Sequence, residues 1–292
     1  MTHTLERRRE ILALANEHNF LILEGLYDLA SARALYDTDL LVDDPYFYLY
    51  FSDQPRSPSY FKLDGQGPYP RGRVLRFDSL SKVLSAGLRF GFATGPARLI
   101  ERINVHVGHC LVLLPSSDAR PKTAASNLQS SSTVQAIVLA LFNAWGYDTF
   151  MEHTRRVASL YRAKRDVFER AMQRHLTGLA EWVTPEAGMF YWCVAFPFYF
   201  ARVPLIKCRA NPLFRFKLLL PPSEGAPEGN SEALIREKAI EAGVLTLPGT
   251  SFFISGKPTP YVRASFSLLP EKDVDEALRR LARIVRLARE GA

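Results

Sequence analysis

The order of elements written into this sequence predicts an α/β protein with a mostly parallel sheet, followed by a smaller α+β domain. Two observations carry that prediction. Short apolar runs of strand character alternate with amphipathic helical stretches through the first half. A long helical stretch then leads into a second set of strands and helices. The division falls near residue 160, giving a first domain over 1–160 and a second over 161–292.

Taken in order, Leu5, Ile11, Leu12, Leu14 and Ala15 form a helical stripe over Leu5 to Glu17, and FLILE (20–24) follows as a buried strand. RVLRFDS (73–79) and LRFGFATG (88–95) are two further strands, and ARLIERINV (97–105) is a helix. Thr133 to Ala144 and Tyr147 to His175 are both helical. The second of them sets charges on one side and Val157, Leu160, Tyr161, Val167 and Phe168 on the other. In the second domain, strands are expected near Gly188 to Trp192, Gly243 to Leu247 and Tyr261 to Phe266, and helices at Ser231 to Ala242 and Glu271 to Arg289. There is no internal repeat.

Composition narrows the function classes. Of 292 residues, 47% are hydrophobic, enough for one large or two modest cores. No apolar run approaches the ~20 residues of a membrane-spanning helix. The start is charged and helical, unlike a signal peptide, so a cytoplasmic protein without a membrane partner is expected. Cys110, Cys193 and Cys208 have neither paired spacing nor a CxxC, which argues against a disulfide framework or a metal site. The net charge of +7 is not clustered: Arg7, Arg8 and Arg9 are flanked by Glu6 and Glu10, as on a solvated helix face. Nucleic acid is therefore not an expected partner.

Three segments carry chemistry. In DSLSKVLSAGLRFGFATGP (78–96), Lys82 follows a strand and two serines, and Arg89 stands seven residues further on. Ligands collect at the carboxyl ends of strands in open α/β sheets, and a lysine amine is the group that bonds a carbonyl cofactor. Ser79 and Ser81 can donate hydroxyls to a phosphate that Arg89 clamps bidentately. In DDPYFYLYF (43–51), Asp43 and Tyr46 stand three apart at another strand end, where an acid and a phenol can address a cofactor ring. In PYVRASF (260–266), Arg263 interrupts an apolar strand. A buried arginine must reach solvent, a protein carboxylate or a ligand's carboxylate. Each signal alone is matched by a plainer reading, such as a solvated loop lysine or an acidic turn.

In joint order, DDPY, SxSK with its arginine, EAGMFYW (186–192), LPGTSFF (247–253) and PYVRASF resemble the fold-type I pyridoxal-phosphate-dependent aminotransferases. Within them the likeness is closest to the aromatic amino acid, kynurenine and α-aminoadipate group, and it runs from about Leu5 to the end. The resemblance implies the aspartate-aminotransferase fold, here incomplete, with pyridoxal 5'-phosphate as cofactor. It also implies Lys82 as the covalent attachment point and proton shuttle, and Asp43 on the pyridine nitrogen. Tyr46 would contact the ring's phenolic oxygen, Ser79, Ser81 and Arg89 the phosphate, and Arg263 the substrate carboxylate. The reaction would move an amino group from an aromatic or related amino acid to a 2-oxo acid such as 2-oxoglutarate, in a homodimer. Phe252, Phe253 and Tyr191 suit aromatic donors, but at these spacings they are more often core.

The pattern also departs from the family. The family's longer amino-terminal part, with a phosphate loop, a stacking aromatic and an NPTG-like turn, is expected to be missing, which makes a non-catalytic fragment the alternative reading. Three stretches, 25–42, 107–124 and 193–215, interrupt family elements, contain all three cysteines and carry +3 of the +7 net charge. They are expected to be translated introns.

Overall fold

The computed structural model describes residues 4–24, 40–42, 46–66, 72–108, 131–191, 216–223, 225–252 and 256–290, with 40–42 and 104–108 described by backbone alone. Asp43, Trp192, Phe253, the three cysteines and most of the three interrupting stretches lie outside these residues. The described residues fall into two compact units. The first holds those up to Phe47 and those of Pro55–Thr154; the second holds Tyr48–Gln54 and those from Arg155 onward.

In the first unit, helix α1 (Leu5–Glu17) begins where the Thr4 hydroxyl accepts the Arg7 amide, and it buries Arg8, Ile11, Leu12 and Ala15. That spacing is one face of a helix, with an arginine in an apolar register. The chain then enters β1 (Ile22–Glu24), which is buried throughout. β1 pairs in parallel with β2 (Leu40–Val42) on one side and β3 (Val74–Ser79) on the other, and β3 pairs antiparallel with β4 (Gly91–Thr94). The sheet order is β2-β1-β3-β4, mostly parallel as expected. The last three residues of the first interrupting stretch, 40–42, are thus β2 itself.

Charge organises this unit's interior. Glu24 is fully buried at the end of β1 and accepts from the Arg8 guanidinium at 3.2 Å and from the Tyr60 and Phe61 amides at 3.0 and 3.1 Å. Those amides open the short helix α2 (Tyr60–Gln66), where Ser59 Oγ accepts the Lys62 amide. A carboxylate there satisfies orphan donors and faces the positive end of the helix. Arg76 of β3 lies 3.4 Å from Glu24 and forks onto Asp78 at 2.8 and 2.7 Å. Two cations and two anions so bind α1, α2, β1 and β3 together.

Helix α3 (Ala97–Gly108) follows β4. Helix α4 runs over Ser132–Leu176 but breaks at Gly146, whose φ of 68° and ψ of −179° only glycine adopts at little cost. The two expected helices are therefore both present and meet at Gly146.

The second unit has an apolar core. Strands β5 (Ala180–Trp182) and β7 (Phe216–Leu218) pair antiparallel. β6 (Phe190–Tyr191) and β8 (Leu247–Pro248) flank β9 (Val262–Ser265), also antiparallel. Helix α5 (Glu271–Glu290) buries Val274, Leu278, Leu281, Ala282 and Val285, a stripe readable from sequence. The strand expected over Gly243 to Leu247 is shorter and later. The Val244 amide closes back on the Ala239 carbonyl at 2.7 Å, so the residues after Gly243 end the preceding helical stretch instead. That stretch contains a π-helical segment, Leu234–Ala239.

Candidate active site

The site begins where β3 ends. Ser79, its last residue, lies opposite Gly91 of β4, and a Cβ built on Gly91 would stand 2.9 Å from the Asp78 carbonyl oxygen. A glycine is required for β4 to come this close, which fixes the frame in which the following turn sits. The Leu80 amide donates to the Phe90 carbonyl at 3.0 Å, and the Leu80 carbonyl then accepts from the Val83 and Leu84 amides at 3.3 and 2.9 Å. Leu80 and Val83 are buried at 2% and 4% exposure, so Lys82 rides between two anchored neighbours, itself half-buried.

Polar groups gather around this turn. The Ser81 amide donates to Ser79 Oγ at 3.3 Å. Ser85 Oγ accepts the Gly87 amide and starts a 3-10 turn, Ala86–Leu88. Arg89 ends that turn in the left-handed region at φ 49°, a conformation that costs a non-glycine residue on the order of 1 kcal/mol. Its guanidinium donates to the Ala86 carbonyl at 3.3 Å and lies 3.5 Å from Ser81 Oγ. The second distance is the long limit of a hydrogen bond, and Arg89 stays exposed. Ser79, Ser81, Lys82 and Arg89 thus share one strand end and its turn. Across the turn, His153 Nε2 of α4 lies 2.7 Å from the Val83 carbonyl oxygen.

Tyr46 is half-buried and is followed directly by Phe47. The guanidinium carbons of Arg56 and Arg76 stand over the Phe47 ring at 3.7 and 4.2 Å from its centroid, and Arg56 also donates to the Phe47 carbonyl at 2.6 Å. The Arg76 contact, a cation–π interaction, ties the Tyr46 segment to β3, and that of Arg56 ties it to the chain before α2. Arg263 belongs to the second unit. It occupies the β9 position opposite Leu247, with its guanidinium 4.7 Å from the Phe190 ring centroid and 4.6 Å from that of Phe252. Tyr191 is a core residue at 1% exposure. It stacks on Phe168, and its hydroxyl donates to Glu169 at 2.8 Å. Burial, then Glu169, pushes that phenol far above its ordinary range. The core reading holds for Tyr191.

The model of the family "Aminotransferase class I and II" matches residues 4–281, across both units. The chain belongs to this family. Among relatives, it is 37% identical over 283 residues to aminotransferase tdiD of Emericella nidulans, covering 97% of this chain and 51% of that protein. It is 34% identical over 284 residues to the mitochondrial kynurenine/alpha-aminoadipate aminotransferase of Bos taurus, covering 97% and 50%. The chain therefore spans about half the length of the relatives it matches. Among solved structures, it resembles LysN, an alpha-aminoadipate aminotransferase of Thermus thermophilus, with a TM-score of 0.69, 23% identity, and coverage of 99% of this chain and 56% of that one. Aro9 of C. albicans gives a TM-score of 0.69 at 22% identity, covering 98% and 53%. The α/β fold expected from sequence is the fold of these aminotransferases.

His153, Glu24, Arg76 and Phe47 were not singled out from sequence. Glu24 and Arg76 carry the same signal as Arg263, a charge inside an apolar strand. His153 carries no local signal.

Proposed function

We propose that this chain carries the lysine side of a pyridoxal 5'-phosphate site. Its reaction is the transfer of an amino group from an aromatic, kynurenine or 2-aminoadipate-class amino acid to a 2-oxo acid such as 2-oxoglutarate. One observation supports this most: two hydroxyls, a guanidinium and a primary amine lie on one strand end and the turn that follows it. That donor set fits a phosphate and an aldehyde together. Pyridoxal phosphate, when bound, supplies an electron sink for the substrate's α-carbon.

The residues divide the work. Lys82 holds the cofactor through its amine and afterwards moves the proton at the substrate's α-carbon. Ser79, Ser81 and Arg89 bind the phosphate. Asp43 keeps a proton on the pyridine nitrogen, and Tyr46 donates to the ring's phenolic oxygen. Arg263 takes the substrate carboxylate with its in-plane fork. A homodimer and a cytoplasmic location belong to the same proposal, and size-exclusion with light scattering and cell fractionation test them. The non-catalytic alternative is not favoured, because the family match crosses both units.

The test is direct. The purified chain is titrated with pyridoxal phosphate and its visible absorbance followed, then the titration is repeated with Lys82→Ala. Cofactor attachment is lost in the variant; retained attachment moves the role to another lysine. Amino transfer is assayed with phenylalanine, kynurenine and 2-aminoadipate as donors, and Asp43→Ala lowers the rate while some cofactor binding persists.

A further inference from the structure

We propose that His153 is a positioning residue for the lysine turn, holding the Val83 carbonyl and thereby setting how the Lys82 amine is presented. The proposal deepens the functional reading above and rests on it for the role of Lys82.

The turn has little to hold it by itself. It is a single turn, and one turn of helix is intrinsically marginal because nucleation fixes several dihedrals for few bonds. Inside it only the Leu80 carbonyl is used, by the amides of Val83 and Leu84. The Val83 carbonyl would accept from the next helical turn, but the chain leaves instead into the 3-10 turn Ala86–Leu88. It is an orphan acceptor of the kind found at helix ends.

His153 fills that place from an element 70 residues away. A carbonyl oxygen only accepts, so Nε2 must be the donor at this 2.7 Å contact. The neutral Nε2–H form and the cation both satisfy it, whereas the Nδ1–H tautomer does not. Trp145, eight residues earlier on α4, packs its ring 5.0 Å from the imidazole at 45° and restricts how the ring turns. Val83 is bonded directly to Lys82 in the chain and is itself buried at 4% exposure. A bond to its carbonyl therefore acts on the backbone that carries the reacting amine, without His153 touching cofactor or substrate.

The experiment uses the full chain as parent, His153→Leu and His153→Gln. Each is exposed to pyridoxal phosphate and then borohydride, which joins the aldehyde carbon to the lysine amine as a secondary amine. The aldehyde oxygen leaves as water, and borohydride supplies the hydride. Peptide mass spectrometry follows the adduct at Lys82 over time, with exposed Lys272 as an internal reference. In parallel, amide hydrogen exchange of the turn is measured without cofactor. In His153→Leu, exchange at Val83 and Leu84 rises about tenfold and adduct formation at Lys82 falls about tenfold, the size of one lost hydrogen bond. Lys272 is unchanged. His153→Gln, whose amide reaches the same carbonyl, recovers both. Unchanged exchange in His153→Leu, or a glutamine variant as impaired as the leucine one, overturns the proposal. Should the parent form no adduct at Lys82 while exchange still follows this pattern, the functional reading falls and the hold of His153 on the turn stands.

Discussion

The two units fill their interiors with different chemistry. Among the described residues, the charged side chains that are buried, Arg8, Glu24, Asp64 and Arg76, all lie in the first unit, whereas the buried polar residues of the second are Ser231 and Thr259. The second unit is closed by hydrocarbon and aromatic rings: Met172, Leu176, Phe216, Leu218, Phe266 and Leu281 meet there. Replacing a buried ion pair by well-packed apolar residues is often neutral or stabilising, so the first unit's solution is not chosen for stability alone. Two of its charges, Glu24 at the end of β1 and Arg76 on β3, sit on the strands that lead to the candidate site.

The comparison breaks most visibly at Glu24. Glu24→Ala leaves Arg8 and Arg76 without their shared anion and strips the Tyr60 and Phe61 amides of an acceptor. Removing one partner of a buried pair costs about 3–5 kcal/mol. Urea unfolding should register that loss, and hydrogen exchange should localise it to α1 and α2. A loss below about 1 kcal/mol would mean that the network does not hold the unit.

The counterpart in the second unit is Leu281→Ala. Leu281 is fully buried on α5 in the apolar cluster, and its truncation costs about 2–5 kcal/mol through lost transfer energy and the cavity left behind. Here the exchange signature should stay within α5 and β9. A smaller change comes from Tyr191→Phe, which deletes one donor to Glu169 while Thr184 remains bonded to the same carboxylate at 2.6 Å. About 1 kcal/mol is expected. A null result there would assign the stacking on Phe168, not the hydroxyl, as what matters.

How much was legible in the sequence follows the same divide. Stripes are local: Val274, Leu278, Leu281 and Val285 mark α5 by spacing alone, and Ser79, Ser81, Lys82 and Arg89 fall within eleven consecutive residues. Contacts made across the fold are not. His153 meets the Val83 carbonyl, and Glu24 meets the amides that open α2, through chain separations that no periodicity records. Arg8 reads as one of three solvated arginines and is instead buried at 1% exposure, because Glu24 waits at the end of β1. The expected strand at Gly243 to Leu247 is shorter and later for a related reason: Val244 completes a helix end through its bond to Ala239, and of the expected residues Leu247 joins the ladder, opposite Arg263.

The smallest effect sharpens the comparison from the surface. Glu276 accepts from Arg279 at two 2.8 Å contacts and from Arg280 at 2.6 Å, and these hydrogen bonds hold its carboxyl down from 4.5 to about 2. Arg174 and then His175 lower Asp275 beside it in the same way. A carboxylate whose folded pKa is depressed contributes stability that is fully present above its unfolded value, near ~4.3 for Glu. That contribution is lost as pH falls through the folded value, so the window runs from about pH 4.5 down to about 2. Both groups are on the surface, where solvent and salt screen them, so the effect is modest and fades with added salt. The second unit's melting temperature should decline across that window, and Glu276→Gln should flatten the decline at low salt while leaving neutral pH almost unchanged. Identical slopes for parent and variant would show that these surface pairs add nothing to the unit's stability.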